Sequence, residues 1–377
     1  MLVDHTVSNN FKKNCASCEN VVRSIFLMSN VFLKKVSGDH GGQESKGYRW
    51  PYGPVCIVSP FNFPLEIPVL QLMGALMMGN KPTIKAATTV GLVMDQYIRL
   101  LIDAGMPPSD LDFIHCGGAT MSKLIDAAPF RVTQFTGSTN VAEDLAKASH
   151  GKVRLEDAGF DWKILGPDVP SNSNDRDFIT WTSDQDAYAC SGQKCSAQSI
   201  AFIHTNWIWE GDFINEIKAL ASKRKLEDLS IGPVLSHSTE DIMNHKNRLL
   251  EIPGAYLAFG GNELTNHSVP EKYGCVEPTA VFVPIEELLS DEHFDACVTE
   301  LFGPFQVLTS FSDAQEHLVL EACEKMSRKR TCVCFFCIIT CECCECGVFF
   351  LLYEYVLVLF FYTCGCCVFF CTCVPSP

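Results

Sequence analysis

Four segments of this chain carry residue types that could do covalent chemistry together. Cys195 stands in Tyr188-Ala189-Cys190-Ser191-Gly192-Gln193-Lys194-Cys195-Ser196-Ala197, downstream of the acidic segment Leu155-Glu156-Asp157-Ala158-Gly159. Pro60-Phe61-Asn62-Phe63-Pro64 lies earlier and Glu300-Leu301-Phe302-Gly303-Pro304-Phe305 later. The chain thus offers a thiol nucleophile, two carboxylates and an amide donor. Oxidation of an aldehyde through a thioester needs such parts: a thiolate to attack the carbonyl, donors for the oxyanion, a hydride acceptor and a base to activate water. Taken singly, each residue has a plainer reading. A free cysteine is usually an inert buried thiol, an asparagine between prolines is usually a turn residue, and Glu156 or Glu300 could be a surface or helix-end acid.

The elements that must hold these residues follow from the apolar pattern. Short runs at 55–58, 83–85, 112–115 and 131–135 read as strands, and 65–78, 90–104 and 139–149 as helices. Gly79-Asn80 stops the first helix. Strand and helix alternate, which is the sequence form of a parallel sheet. Farther on, 184–189 and 211–223 read as helices, and 197–204, 280–283 and 306–308 as strands. No G-x-G-x-x-G turn follows any strand, so a conventional dinucleotide fingerprint is excluded. Phe135-Thr136-Gly137-Ser138 puts a glycine and a hydroxyl between a strand and a helix, where backbone N–H groups can hold a phosphate.

The fuller strings resemble the aldehyde dehydrogenase superfamily. Gly47-Tyr48-Arg49-Trp50-Pro51-Tyr52-Gly53-Pro54, the run from Pro64 to Leu76, and Leu155-Glu156-Asp157-Ala158-Gly159-Phe160-Asp161-Trp162-Lys163 are similar to the plant-type delta-1-pyrroline-5-carboxylate (glutamate semialdehyde) dehydrogenases. The resemblance runs over 38–326. It implies an α/β fold with a parallel-sheet cofactor domain at 38–155 and an α/β catalytic domain at 156–326. Both are expected to lack portions that relatives have; 1–37 stays unassigned and 327–377 is a tail foreign to the family.

The resemblance also implies roles. Cys195 is the nucleophile, Glu156 the general base, and Asn62 the oxyanion donor with the Cys195 backbone N–H. Asp157 departs from the usual apolar residue there, as a trait of the plant-type subgroup. Lys85 holds the adenine ribose, Gly137 and Ser138 the pyrophosphate, Glu300 the nicotinamide ribose, and Phe302 flanks the nicotinamide. Ser196 helps receive a short acidic aldehyde. The implied reaction is NAD-dependent oxidation of L-glutamate 5-semialdehyde to glutamate in proline breakdown, in the mitochondrial matrix, by a homo-oligomer. Thr88 stands where many relatives have an acid against a 2′-phosphate, which leaves NAD against NADP open. Two other readings stay open: a catalytically inactive fragment, or a dehydrogenase of another aldehyde.

Composition narrows the classes further. A net charge of −15 argues against nucleic-acid or anionic-membrane partners. Of 21 cysteines, nine scatter before Ser327 with no secreted disulfide framework, and twelve crowd after it. The crowded ones lack a paired C-x-x-C frame, so no metal site is expected. The N-terminus shows neither a signal-peptide core nor a clear transit segment. The stretch 348–374 is long and apolar enough to suggest a membrane span. Its skewed composition, and the abrupt break after Met326, favour sequence not selected for this fold.

Overall fold

The buried runs Val55-Cys56-Ile57 and Pro82-Thr83-Ile84 become neighbouring strands because both faces of each must be covered. The computed structural model describes residues 33–35, 46–48, 50–157, 159–209, 212–329, 335–339, 348–353 and 356–361. It divides into two compact units, Met1–Ala158 and Gly159–Pro377.

In the first unit, β1 (Leu33–Lys35) and β2 (Lys46–Tyr48) form a short antiparallel ladder. Five strands follow: β3 (Pro54–Val58), β4 (Lys81–Lys85), β5 (Asp112–Phe113), β6 (Val132–Thr136) and β7 (Val153–Glu156). They form one parallel sheet in the order β5-β4-β3-β6-β7. The chain steps outward from β3 to β5, then returns to the other side of β3. This reversal makes a topological switch point between β3 and β6, where open α/β sheets leave a crevice at the carboxyl ends of the strands. Helices α1 (Glu66–Met77), α2 (Gly91–Asp103), α3 (Gly118–Ala127) and α4 (Thr139–Ala148) make the connections. Ile57, Val69, Leu72, Ile84 and Met94 form the core and are fully buried.

The expected stop of α1 at Gly79-Asn80 has a clear physical form. Gly79 takes φ +75°. Asn80 Oδ1 accepts from the backbone N–H groups of Tyr52 (2.6 Å) and Gly53 (3.1 Å), and its Nδ2 donates to the Ala75 carbonyl (3.2 Å). One side chain therefore ties the end of α1 to the entry of β3.

The second unit holds an eight-stranded sheet in the order β10-β11-β12-β9-β8-β13-β14-β15. Its strands are β8 (Asp161–Leu165), β9 (Gln198–His204), β10 (Tyr256–Phe259), β11 (Thr279–Phe282), β12 (Phe305–Phe311), β13 (Phe335–Ile339), β14 (Val348–Tyr353) and β15 (Val356–Phe361). The ladders from β11 through β13 are parallel, while β10, β14 and β15 join antiparallel. Strand β9 shows the period-two rule: Ile200 and Phe202 enter one core, Ala201 and Ile203 the other. The main helices are α5 (Ser173–Tyr188), α6 (Phe213–Ala221), α7 (Thr239–Leu250), α8 (Phe294–Cys297) and α9 (Glu316–Lys329).

Several expectations are corrected here. The helix expected at 184–189 starts eleven residues earlier, at Ser173. Its buried face carries Thr180, Ser183 and Asp184 beside Ile179, so polar residues mask the periodicity. Asp184 is accommodated by a two-pronged ion pair with Arg224, both contacts at 2.6 Å. The strand expected at 112–115 is only Asp112–Phe113. In the tail, β13–β15 extend the sheet from β8. Their Phe, Val and Leu runs have high strand propensity, and β8 offers an edge. Among the described residues no helix is long and apolar enough to cross a membrane.

The core of the first unit yields a direct test. Ile57→Ala removes a fully buried side chain from the central strand and should lower stability by about 2–5 kcal/mol. The urea midpoint of unfolding measures this; an unchanged midpoint would mean that the strand does not carry the core.

Candidate active site

Helix α5 ends at Tyr188, and the chain then takes a strained path. Cys190 (φ 56°), Ser191 (φ 58°) and Gly192 (φ 66°) are consecutive left-handed residues. For a residue with a Cβ this region costs on the order of 1–3 kcal/mol, so something must hold the turn. Two side chains do. Ser191 Oγ accepts from the Gly232 N–H (2.7 Å) and donates to the Gly232 carbonyl (3.3 Å). Gln193 Nε2 donates to the Pro233 carbonyl (3.0 Å), and its Oε1 accepts from the Leu235 N–H (2.8 Å). Lys194 Nζ donates to the Gln185 carbonyl (3.1 Å), fastening the turn to α5.

Only glycine fits at 192. A Cβ there would lie 2.0 Å from the Gly303 carbonyl oxygen and 3.1 Å from that of Ala187. This close approach brings the turn against the loop that bears Glu300 and Phe302. Phe302 is itself left-handed (φ 45°), and Ser236 Oγ donates to its carbonyl (3.3 Å). Gly192, Ala197, Gln198, Glu300, Phe302 and Gly303 line one depression. A second is lined by Asp161, Trp162, Lys163, Asp186, Ser196 and Gln198. Cys195 is half-buried and lies in the stretch between Gly192 and Ala197. The structure thus draws together the surroundings of Cys195, Ser196, Glu300 and Phe302.

Other cysteines differ from it. Cys56 and Cys297 are buried, and burial pushes both thiols up to about 12. They act as small apolar fillers. Cys190 is exposed. Among the described residues no His, Cys, Asp and Glu gather into a group that could hold a metal. The crowded tail cysteines lie mostly outside the described residues.

The remaining expected residues belong to the first unit and cluster at the carboxyl end of its sheet. Lys85 ends β4, where burial lowers its pKa and the nearby Cys116 thiol opposes that shift. Gly137 and Ser138 connect β6 to α4. The Gly137 N–H donates to the Glu156 carbonyl (3.1 Å), and a Cβ on Gly137 would meet the Phe135 ring at 2.7 Å. Ser138 is the N-cap of α4 without a side-chain cap bond. Asn62 follows β3 and is half-buried; Glu156 ends β7 and is exposed. Ser59 Oγ and Thr139 Oγ1 are buried with no hydrogen-bond partner among the described residues. Sheltered hydroxyls, an ammonium and an uncapped helix N-terminus at a switch point fit the sugars and phosphates of a dinucleotide.

Sequence reading singled out neither Gln193 nor the buried Lys163. Lys163 Nζ pairs with Asp186 Oδ2 (2.7 Å) and donates to Ser183 Oγ (3.2 Å). A lysine inside the short run Asp161-Trp162-Lys163-Ile164-Leu165 was the available signal, because such a charge needs a partner.

Known proteins resemble this chain over most of its length. The model described as the aldehyde dehydrogenase family matches residues 8–324. Over 291 residues the chain is 56% identical to a probable aldehyde dehydrogenase of Linum usitatissimum, covering 77% of this chain and 52% of that protein. Over 292 residues it is 58% identical to a mitochondrial delta-1-pyrroline-5-carboxylate dehydrogenase of Arabidopsis thaliana, with the same two coverages. The chain therefore spans about half the length of the curated relatives it matches. A variant of proline utilization A from Bradyrhizobium japonicum superposes with a TM-score of 0.67 at 23% identity, over 82% of this chain and 31% of that one. That likeness shows the fold alone.

Two substitutions separate strain from sterics in the turn. Gly192→Ala should cost more than about 3 kcal/mol, since backbone on both sides must move. Cys190→Gly should gain up to about 1 kcal/mol by relieving a left-handed residue. Thermal unfolding of the two variants should shift in opposite directions; a shift of the same sign in both would refute this geometry.

Proposed function

The chain belongs to the aldehyde dehydrogenase family, and from that premise we propose that it oxidises an aldehyde to a carboxylate through a thioester on Cys195. The clamped left-handed turn, pressed against the Glu300–Phe302 loop, carries this reading. It holds a half-buried thiol beside a depression while the buried cysteines are filled in and inert. A nicotinamide dinucleotide, when bound, supplies the hydride acceptor.

The protein groups divide the remaining work. Cys195 Sγ adds to the carbonyl carbon, forming the C–S bond and placing negative charge on oxygen. The Asn62 side-chain amide and the Cys195 backbone N–H serve as oxyanion donors, each worth roughly 2.7–4 kcal/mol in the transition state. Loss of hydride leaves the acyl group on sulfur. Glu156 takes a proton from water, which attacks the thioester and frees the carboxylate product and the thiol. Residues 38–155 are assigned to cofactor binding, with Lys85 at the adenine ribose and Gly137 and Ser138 at the pyrophosphate. Residues 156–326 are assigned to catalysis, with Glu300 at the nicotinamide ribose and Phe302 beside its ring.

The substrate we propose is L-glutamate 5-semialdehyde, oxidised to glutamate in the mitochondrial matrix, with NAD as cofactor and Ser196 among the substrate contacts. The 58% identity to the Arabidopsis protein supports this choice over other aldehydes. Family membership supports a homo-oligomer.

Cys195→Ala should abolish NADH formation while dinucleotide binding, followed by fluorescence quenching, persists. Activity within tenfold of the parent would exclude Cys195 as nucleophile. Glu156→Gln should keep a single burst of NADH and slow the following turnover by about 10²–10⁴-fold, the usual worth of a general base. Steady turnover at the parental rate would remove Glu156 from that role.

A further inference from the structure

Three buried polar atoms at the carboxyl end of the first unit's sheet have no hydrogen-bond partner among the described residues: Ser59 Oγ, Gln71 Oε1 and Thr139 Oγ1. Ser59 directly follows β3, and its N–H donates to the Lys85 carbonyl (3.1 Å). Thr139 opens α4, just after β6. Gln71 belongs to α1, but its side chain reaches β6, where Nε2 donates to Thr136 Oγ1 (3.1 Å). The three atoms thus lie about the switch point between β3 and β6.

The two hydroxyls can donate or accept, so they do not fix the chemistry of a ligand. The Gln71 amide does. With Nε2 given to Thr136, its oxygen remains, and an amide oxygen can only accept. A sheltered acceptor without a partner costs free energy, so this corner of the crevice calls for a donor. Its place narrows which donor. Thr136 ends β6 directly before the Gly137-Ser138 turn, and its neighbour across the sheet is Glu156 at the end of β7. Lys85, assigned to the adenine ribose, ends β4 on the opposite side of β3. The Gln71–Thr136 bond therefore stands at the pyrophosphate turn on the side toward Glu156, away from the adenosine end. In the nicotinamide half of the cofactor the ribose is assigned to Glu300. The carboxamide is the remaining group there that carries N–H donors.

We infer that Gln71 Oε1 accepts a hydrogen bond from the nicotinamide carboxamide, and that Gln71 selects the amide form of the cofactor. The inference rests on the cofactor role proposed for residues 38–155 and adds a residue to which no role is assigned. Selectivity comes from a mismatch: a carboxylate in place of the carboxamide sets acceptor against acceptor and leaves Gln71 Oε1 unsatisfied.

Calorimetric titration of the full chain with NAD, nicotinic acid adenine dinucleotide and ADP-ribose tests this apart from turnover. NAD should bind at least tenfold more tightly than the acid form. Gln71→Met removes the amide oxygen and should bring the two within threefold. ADP-ribose, which has no nicotinamide, should bind this variant as it binds the parent. Gln71→Glu keeps an acceptor and should keep the tenfold preference; it decides if Gln71→Met does not fold. Equal or tighter binding of the acid form by the parent would overturn the contact, and would mean that water or an N–H stands there. An undiminished preference in Gln71→Met, a preference lost in Gln71→Glu, or ADP-ribose binding lost along with it in Gln71→Met would overturn it too. NADH formation from glutamate 5-semialdehyde, run in parallel, separates the two claims. NADH formation with equal binding of both dinucleotides would sink the contact and leave a dehydrogenase. The expected preference without NADH formation would do the reverse, and no binding of any of the three ligands would sink both.

Discussion

The approach of Gly303 to Gly192 constrains everything around Cys195. With a carbonyl oxygen 2.0 Å from where a Cβ would stand, the two segments interlock only if residue 192 has no side chain. That contact sets the path of the three left-handed residues, and the path sets where Cys195 emerges. The cost of the path is met nearby by Ser191 and Gln193, which use both donor and acceptor atoms on the 232–235 segment. The turn is thus built from α5, the 232–235 segment and the 300–305 loop together. In the role proposed for Cys195, such support would leave little reorganisation for the attack.

Polar burial supports the same region. Trp162, Tyr188 and Phe202 are among the largest fully buried side chains, yet Asp184, Lys163, Gln198 and Gln306 lie among them. Each has a named partner: Arg224 for Asp184, Asp186 for Lys163, each other for the two glutamines, and the Tyr188 hydroxyl for Gln306. Such networks favour one arrangement because a shifted register would strand several groups at once. Gln198 Oε1 is the exception within this set, and Gln198 lines the depression shared with Ser196.

Much of the parallel architecture was legible because its signals are local. Apolar runs give β3 and β4, and Gly79-Asn80 stops α1. The segments that escaped reading share a physical reason. Strand β8 carries Asp161 and Lys163, whose burial depends on partners far along the chain. The first turns of α5 are polar on the buried side. Helix α7 did carry a sequence signal, the Ser238–Asp241 capping box, which went unread. Motif resemblance named Cys195, Ser196, Glu300 and Phe302, but the left-handed path at Cys190 and Ser191 has no counterpart in propensity. It exists only because distant backbone demands it.

The switch point in the first unit also orders events during synthesis. Strands β3, β4 and β5 follow one another, so that half of the sheet can pair as it leaves the ribosome. The other half cannot: Val55 of β3 pairs with Val132 of β6, a partner made much later. Until then one edge of β3 stays open, and closing it bears the entropy of a long loop. The crevice between β3 and β6 is therefore assembled only after the strands that flank it on one side have been made. Nascent chains stalled before Val132 would expose that edge to chaperones or to one another.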